Sequence, residues 1–330
     1  MKIIKWKIGD NPAEIETNIA IAIGNFDGIH KGHVKLLEAV KERSKENNLA
    51  FAVVTFDPHP RDFFKNNNAS FKLLDIQEKQ KLLNQIGVEY LIIIQFNENL
   101  KNCSPNDFLS EILIKNSKVS KMYGGSHFKF GKTRKGSIET AKEFALSKGL
   151  EIASIDLKKT NFKPEKGSEV ISSQTIRKLL QTGKLEIANS LLGRNWCITG
   201  VVEKGKQKGR EIGFPTANVD IRNFLLPPLG VYITRLRVES HKSNELKNHW
   251  LPSISNIGTK PTVSGENINL ETHIININNE TSELNLYGKR VKVELIKFLR
   301  PEKKFNSLSE LKSQIEFDTK EATEFHKRNS

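Results

Sequence analysis

His30 and His33 stand three residues apart in the stretch IAIGNFDGIHKGH, Ile21 to His33. Ile21 to Ile23 and Gly24 read as a buried strand running into a tight turn. Beyond Gly32 and His33 the apolar residues Val34, Leu37 and Val40 fall at helical spacing, with Leu36 and Ala39 beside them. Glycines and two imidazoles therefore meet where a strand hands over to a helix. Free backbone N–H groups and the positive end of the helix dipole converge there, which suits a phosphate. A spacing of three lets both rings aim at that anion. Histidines that only cap the helix are the plain alternative.

A second glycine-rich cationic stretch lies far along the chain, from Gly205 through Gly209, Arg210, Gly213, Phe214, Pro215, Thr216 and Ala217 to Asn218. Its glycines let a backbone approach an anion, and Lys and Arg supply charge. Thr216 and Asn218 both offer oxygen to a hard cation such as Mg²⁺. A hairpin with a basic tip would look the same.

Three further stretches carry groups suited to an anion. Asp57-Pro58-His59-Pro60-Arg61 is a rigid turn with a His and an Arg, or simply a surface turn. Glycines 124, 125, 131 and 136, with Lys129, Lys132, Arg134 and Lys135, form a cationic loop around His127, Phe128 and Phe130. A solvated loop has the same composition. Ser172 and Ser173 open a helix that carries Arg177, as an N-cap or as an anion contact.

The elements that must position these groups change character once. Apolar runs at Ala50–Phe56, Val88–Phe96, Val119–Gly124 and Ile152–Leu157 alternate with helical patterns starting near Asp75, Ser104 and Ile138. That alternation predicts a parallel sheet covered by helices, with ligands at the carboxyl ends of its strands. From Arg194 onward short alternating runs replace it: Trp196–Val202, Gly230–Val238, Leu270–Ile277 and Val291–Phe298. These predict an antiparallel barrel or sandwich closed by one helix, Ser307–Glu324. The boundary is placed near Lys184, giving domains 1–184 and 185–330, each expected to hold its own core and ligand site.

The pattern G-x-F-D-G-x-H-x-G-H from Gly24 to His33 resembles the signature of the HIGH-motif nucleotidyltransferases, and more narrowly the adenylyltransferase half of the bifunctional riboflavin kinase/FAD synthetases. The stretch Gly209 to Asn218 is similar to the riboflavin kinase motif G-R-x-x-G-F-P-T-A-N, and later matches follow in order at Gly230-Val-Tyr, Asn256–Thr262, Glu271–Ile274, Leu286–Gly288 and Arg300-x-Glu302-x-x-Phe305. The resemblance implies a Rossmann-like nucleotidyltransferase domain followed by an antiparallel β-barrel with a C-terminal helix. It implies two ATP-dependent steps with Mg²⁺: riboflavin to FMN, then FMN to FAD and pyrophosphate. In the first domain Gly24, Asn25, Phe26, Asp27, Gly28, Gly32, Ser172 and Ser173 would meet ATP, with His30, His33 and Arg177 stabilising charge. Pro58, His59, Pro60, His127, Phe128 and Phe130 would meet the flavin. In the second, Gly205, Gly209, Arg210, Gly213 and Pro215 would meet ATP, Thr216 and Asn218 the metal, and Arg300, Glu302 and Phe305 the flavin. Glu271 is the implied base for the ribityl hydroxyl. His127 stands where the family usually has an acid or amide, and Asn276 where it often has Asp.

Composition bears on the rivals. The formal charge is +14, but only 12 of the 52 basic residues are Arg, and the excess is shared between the two parts of the chain. Aromatics do not interleave with the Lys clusters, so no nucleic-acid partner is expected. Cys103 and Cys197 match no paired motif, which predicts neither disulfide nor zinc site and a reducing compartment. Lys interrupts each apolar run of MKIIKWKIGD, so neither a signal peptide nor a membrane anchor is expected, and the location is read as cytoplasmic. A transferase for another phosphate ester fits the first motif alone but not the kinase-like second half, while a metallohydrolase built on His30, His33, His59, Asp27 and Asp57 remains as an alternative. Oligomeric state is not legible.

Overall fold

The computed structural model describes residues 1–11, 14–64, 70–115, 118–126, 128–155, 171–205, 208–239, 249–262, 265–275 and 285–329. Two compact units divide the chain: Met1–Asn68 with Ile76–Ser172, and Ala69–Asp75 with Ser173–Ser330.

The first unit is built on six parallel strands: β1 (Lys2–Trp6), β2 (Ile19–Ile23), β3 (Ala50–Asp57), β4 (Tyr90–Gln95), β5 (Val119–Gly125) and β6 (Glu151–Ile155). Their spatial order is β1-β4-β3-β2-β5-β6. Central β2 reads IAIAI and is buried at every position, because both faces of a parallel sheet are covered. The chain order reverses between β2 and β5, and ligands bind outside the carboxyl ends of strands at such a switch point. β1 was not expected. Its Lys2 and Lys5 mask the strand pattern and suit an edge position.

The first unit's helices are α1 (Lys31–Glu46), α2 (Pro60–Phe63), α3 (Ile76–Ile86), α4 (Glu98–Asn102), α5 (Pro105–Leu109) and α6 (Ile138–Leu146). The single helix expected from Ser104 to Lys115 is instead α5 followed by a π-helical turn, Ser110–Ile114. Ser104 caps α5, and Ser137 with Thr140 forms a capping box on α6.

In the second unit α7 (Ser173–Gln181) and α8 (Leu185–Leu192) precede a closed barrel. Its strands are β7 (Trp196–Glu203), β8 (Thr216–Asp220), β9 (Gly230–Glu239), β10 (Leu251–Thr262), β11 (Gly265–Ile274) and β12 (Arg290–Pro301), in the order β10-β11-β8-β7-β12-β9, all antiparallel. A four-residue α9 (Lys208–Glu211) interrupts the glycine-rich stretch before β8. α10 (Leu308–Arg328) packs Ala322 and Phe325 against Val231, Ile233 and Ile254.

The second unit takes in α7 from Ser173, because α7 packs on α8 and α8 is tied to the barrel. The Asn189 side chain of α8 accepts from Trp196 N at 2.8 Å and donates to Leu295 O at 3.0 Å, tying the helix to the barrel. Residues 70–75 also belong to this unit. Leu73 is fully buried and its carbonyl accepts from the Trp196 indole at 2.9 Å. Leu225 N donates to Lys72 O, and the Asp75 carboxylate takes Arg290 and the Thr199 hydroxyl.

Candidate active sites

The loop between β2 and α1 is tightly wound. Phe26, Gly28 and Ile29 have φ of 45°, 83° and 37°, so two residues with side chains sit in the left-handed region. Phe26, Asp27 and His30 are buried despite belonging to a loop. His30 caps α1, accepting from His33 N through Nδ1 at 3.2 Å. The two imidazoles stack at 3.7 Å between centroids, and Phe26 meets His33 edge-on at 5.3 Å. The cap is therefore present, and it stacks the His30 ring on His33 at the start of the helix. Gly32 lies close against its surroundings here: a Cβ would press on the His30 ring at 3.1 Å and touch Ile171 O at 3.5 Å. Ile171 thus approaches the helix start from a remote part of the chain.

Beside this loop is a cavity of about 460 Å³. Asn25 of the loop lines it, together with Phe56, Phe64, Phe96, Phe108, Phe128 and Phe130. Phe108 and Phe130 stack at 5.0 Å, and Phe128 and Phe130 at 5.6 Å. The remainder includes Arg61, Lys101, Lys129, Lys132 and Arg134, with no acidic residue among the described ones. Aromatic walls beneath a cationic rim suit a flat ring system carrying a phosphate. Paired backbone bonds between Phe130 and Gly136 and a bond from Lys132 N to Cys103 O fix the loop that supplies seven of the lining residues, 128–134. Burial and nearby Asp107 push the Cys103 thiol up to about 11, so it stays protonated at neutral pH.

In the second unit Asn218 on β8, Glu271 on β11 and Asn256 on β10 lie opposite one another in register, so they share one face of the barrel. Asn256 Nδ2 donates to Glu302 Oε1 at 3.4 Å. Gly258 makes room, since a Cβ there would collide with the Glu302 carboxylate. Asn218 is buried, and its Oδ1 has no hydrogen-bond partner among the described residues. The described part of the glycine-rich stretch turns tightly beside Asn218 and Thr216. Phe214 N donates to Gly209 O at 2.7 Å, Gly213 N donates to Arg210 O, and Gly213 takes φ of 93°. A Cβ on Gly205 would meet the Asn218 amide at 2.7 Å. His273 Nδ1 bonds Pro215 O at 2.9 Å, and burial holds its imidazole below the ordinary pKa although that carbonyl pulls upward.

Two family models match: FAD synthetase over residues 13–174 and riboflavin kinase over residues 192–326. The bifunctional riboflavin kinase/FMN adenylyltransferase of Escherichia coli K12 is 36% identical over 92% of this chain and 92% of its own. That of Bacillus subtilis is 34% identical over 94% of both. The chain belongs to the bifunctional riboflavin kinase/FMN adenylyltransferase family. A crystal structure described as a macrolide-efflux protein from Streptococcus pneumoniae superposes with a TM-score of 0.78 at 25% identity, covering 96% of this chain and 98% of that one. No helix among the described residues is long and apolar enough to cross a membrane.

Set against the family's motifs, the expected residues are distributed unevenly. Pro60, Phe128 and Phe130 line the cavity with Asn25. Pro58 lies just outside it, and His59 caps α2 by accepting from Arg61 N at 3.1 Å. His127 and Asn276 lie outside the described residues. Ser173 and Arg177 fall in the second unit. There Arg177 is buried, with Nε donating to Phe71 O at 2.9 Å and its guanidinium over the Phe71 ring. Arg300 is held by both oxygens of Asp318 and anchors α10, while Phe305 packs between Arg300 and Lys303. No three His, Cys, Asp or Glu side chains among the described residues are grouped to hold a metal.

Sequence reasoning missed Phe96 and Phe108 of the cavity, whose runs read as core. Thr55 and Lys79, whose side chains both reach the Asn25 carbonyl, were not singled out either. Thr55 is the one hydroxyl at the carboxyl end of an otherwise apolar strand, which was the available signal. Lys79 sits in a helix whose charged residues read as solvated.

Proposed function

We propose that the chain adenylylates FMN at the β2–α1 loop and adjoining cavity, and phosphorylates riboflavin on the Asn218–Glu271–Asn256 face of the barrel. Riboflavin, FMN, FAD and ATP are the substrates and products of the two activities. The observation that carries the reading is Asn25, which lies in the motif loop and also lines the aromatic cavity. A flavin ring seated among the phenylalanines would place its phosphate at the cationic rim, close to the loop that receives ATP. The FMN phosphate is already an anion, so attack on the α-phosphate needs no base. His30, His33, Asn25 and the helix start supply orientation and charge stabilisation. The cavity wall is expected to act mainly on flavin affinity. Phe128→Ala should raise KM for FMN by roughly 10-fold, through lost stacking and burial. Riboflavin phosphorylation should not change.

Kinase chemistry begins from a hydroxyl, a poor nucleophile at neutral pH. Glu271 would take its proton as the oxygen attacks the γ-phosphate, and the Glu302–Asn256 bond would hold the neighbouring surface in place. The barrel's oxygen donors fit a divalent cation. Asn218 Oδ1 is a buried acceptor with no protein donor among the described residues, and Thr216 supplies a second neutral oxygen two positions away on the same strand. Mg²⁺ held there with ATP oxygens would neutralise charge on the phosphates. Asn218→Ala should therefore raise the Mg²⁺ concentration needed for half-maximal kinase activity, leaving the requirement of FMN adenylylation as it was. An unchanged Mg²⁺ titration would remove Asn218 from the metal site. Riboflavin, ATP and Mg²⁺ incubated with the protein and resolved by chromatography test the whole reading. FMN appearing first and FAD following is the expected course.

A further inference from the structure

We propose that Lys79 and Thr55 are positioning residues for adenylyl transfer, acting through the carbonyl of Asn25. Thr55 is fully buried on β3 and Lys79 is 6% exposed on α3. Lys79 Nζ donates to Asn25 O at 2.8 Å and Thr55 Oγ1 donates to the same oxygen at 3.2 Å. Lys79 Nζ also reaches Thr55 Oγ1 at 3.4 Å, closing a triangle beneath the loop. Two donors on one carbonyl fix the Asn25–Phe26 peptide, immediately before the residue whose φ is 45°. A left-handed Phe persists only where its surroundings over-determine it. The loop then continues through left-handed Gly28 and Ile29 to the His30 cap, so its entry is held by Lys79 and Thr55 and its exit by the helix.

The ammonium has a second consequence. Charge buried beside a loop is screened less by water and salt than charge on the surface. Lys79 therefore sets a buried ammonium beneath the loop assigned to ATP. Its helical neighbour Glu78 is also buried and lies 3.8 Å from Lys81, whose ammonium offsets that carboxylate. The inference rests on placing adenylyl transfer at this loop.

Four variants of the full chain test it: Lys79→Met, Lys79→Arg, Thr55→Val and His33→Ala. Losing a charged donor should raise KM for ATP in the adenylyl step, or lower its kcat, by roughly 10–100-fold in combination. Lys79→Met should do so with KM for FMN and riboflavin phosphorylation at parent values. Lys79→Arg keeps charge and donors and should fall between parent and Met. Thr55→Val keeps shape and should show the same pattern more weakly, which serves if the Met variant does not fold. The proposal is overturned if Lys79→Met and Thr55→Val keep the parent constants for ATP. It is also overturned if Arg and Met are equally impaired and KM for both substrates rises together, the mark of a merely structural contact. His33→Ala separates this from the site assignment. An inactive His33→Ala beside a parent-like Lys79→Met removes Lys79 alone, whereas a fully active His33→Ala removes the loop as the site.

Discussion

Glu271→Gln should lower riboflavin phosphorylation by about 10²–10⁴-fold, the usual worth of a positioned general base. Gln keeps the size and one acceptor, so the face shared with Asn218 and Asn256 survives and only proton removal is lost. FMN supplied directly should still become FAD at the parent rate, because its phosphate brings its own negative charge. His33→Ala should do the reverse. It removes the ring stacked on His30 at the helix start, so riboflavin still becomes FMN, which then accumulates. Both variants are read from one time course of flavins separated by chromatography. If Glu271→Gln stops FMN adenylylation, or His33→Ala stops the kinase, the two chemistries share one centre and the placement proposed above is wrong.

Residues 185–330 expressed alone should not form a stable kinase, contrary to what the change of sequence texture at Lys184 suggests. Such a fragment lacks Phe71, Leu73 and Leu74, all buried in the second unit. Burial of each such side chain contributes about 1.5–3 kcal/mol. The indole of Trp196 also loses its acceptor, and an unpaired buried donor costs about 1–3 kcal/mol. Together these approach the whole of a typical domain's stability, about 5–15 kcal/mol. Within the full chain, Leu73→Ala should destabilise the second unit by about 2–5 kcal/mol. Thermal unfolding followed alongside riboflavin kinase activity measures both. A fragment of 185–330 that melts with the full chain and turns over riboflavin at the parent rate would refute the role given to residues 70–75.

Where the sequence was legible, one local pattern coincided with one tertiary role. The run IAIAI is buried on both faces and needs no context to read as a central strand. Glycines 205, 209 and 213 mark a stretch that only small residues can make, and Gly258 and Gly32 show the same logic of close approach. Legibility failed where tertiary contacts decide. Phe71 to Asp75 is too short to show a period, and nothing local tells that Leu73 is core to a barrel beginning more than a hundred residues later. Lys79 has the texture of a solvated helix, yet its ammonium is buried because the Asn25 carbonyl and Thr55 hydroxyl replace water. Arg300 stands in a flavin-site motif, but Asp318, eighteen residues on, holds its guanidinium.

Residues 70–75 also set an order of events at the ribosome. Asp75 emerges 215 residues before its partner Arg290. At about 5–20 residues per second that is a wait of roughly 10–45 s. During it the first unit's last strands, β4 to β6, are completed, whereas the Trp196 and Arg290 partners of residues 70–75 have yet to be made. The nascent chain therefore carries this short apolar segment without its barrel partners through most of its synthesis. The second unit can close only at the end of translation, when β12 brings Arg290 to Asp75.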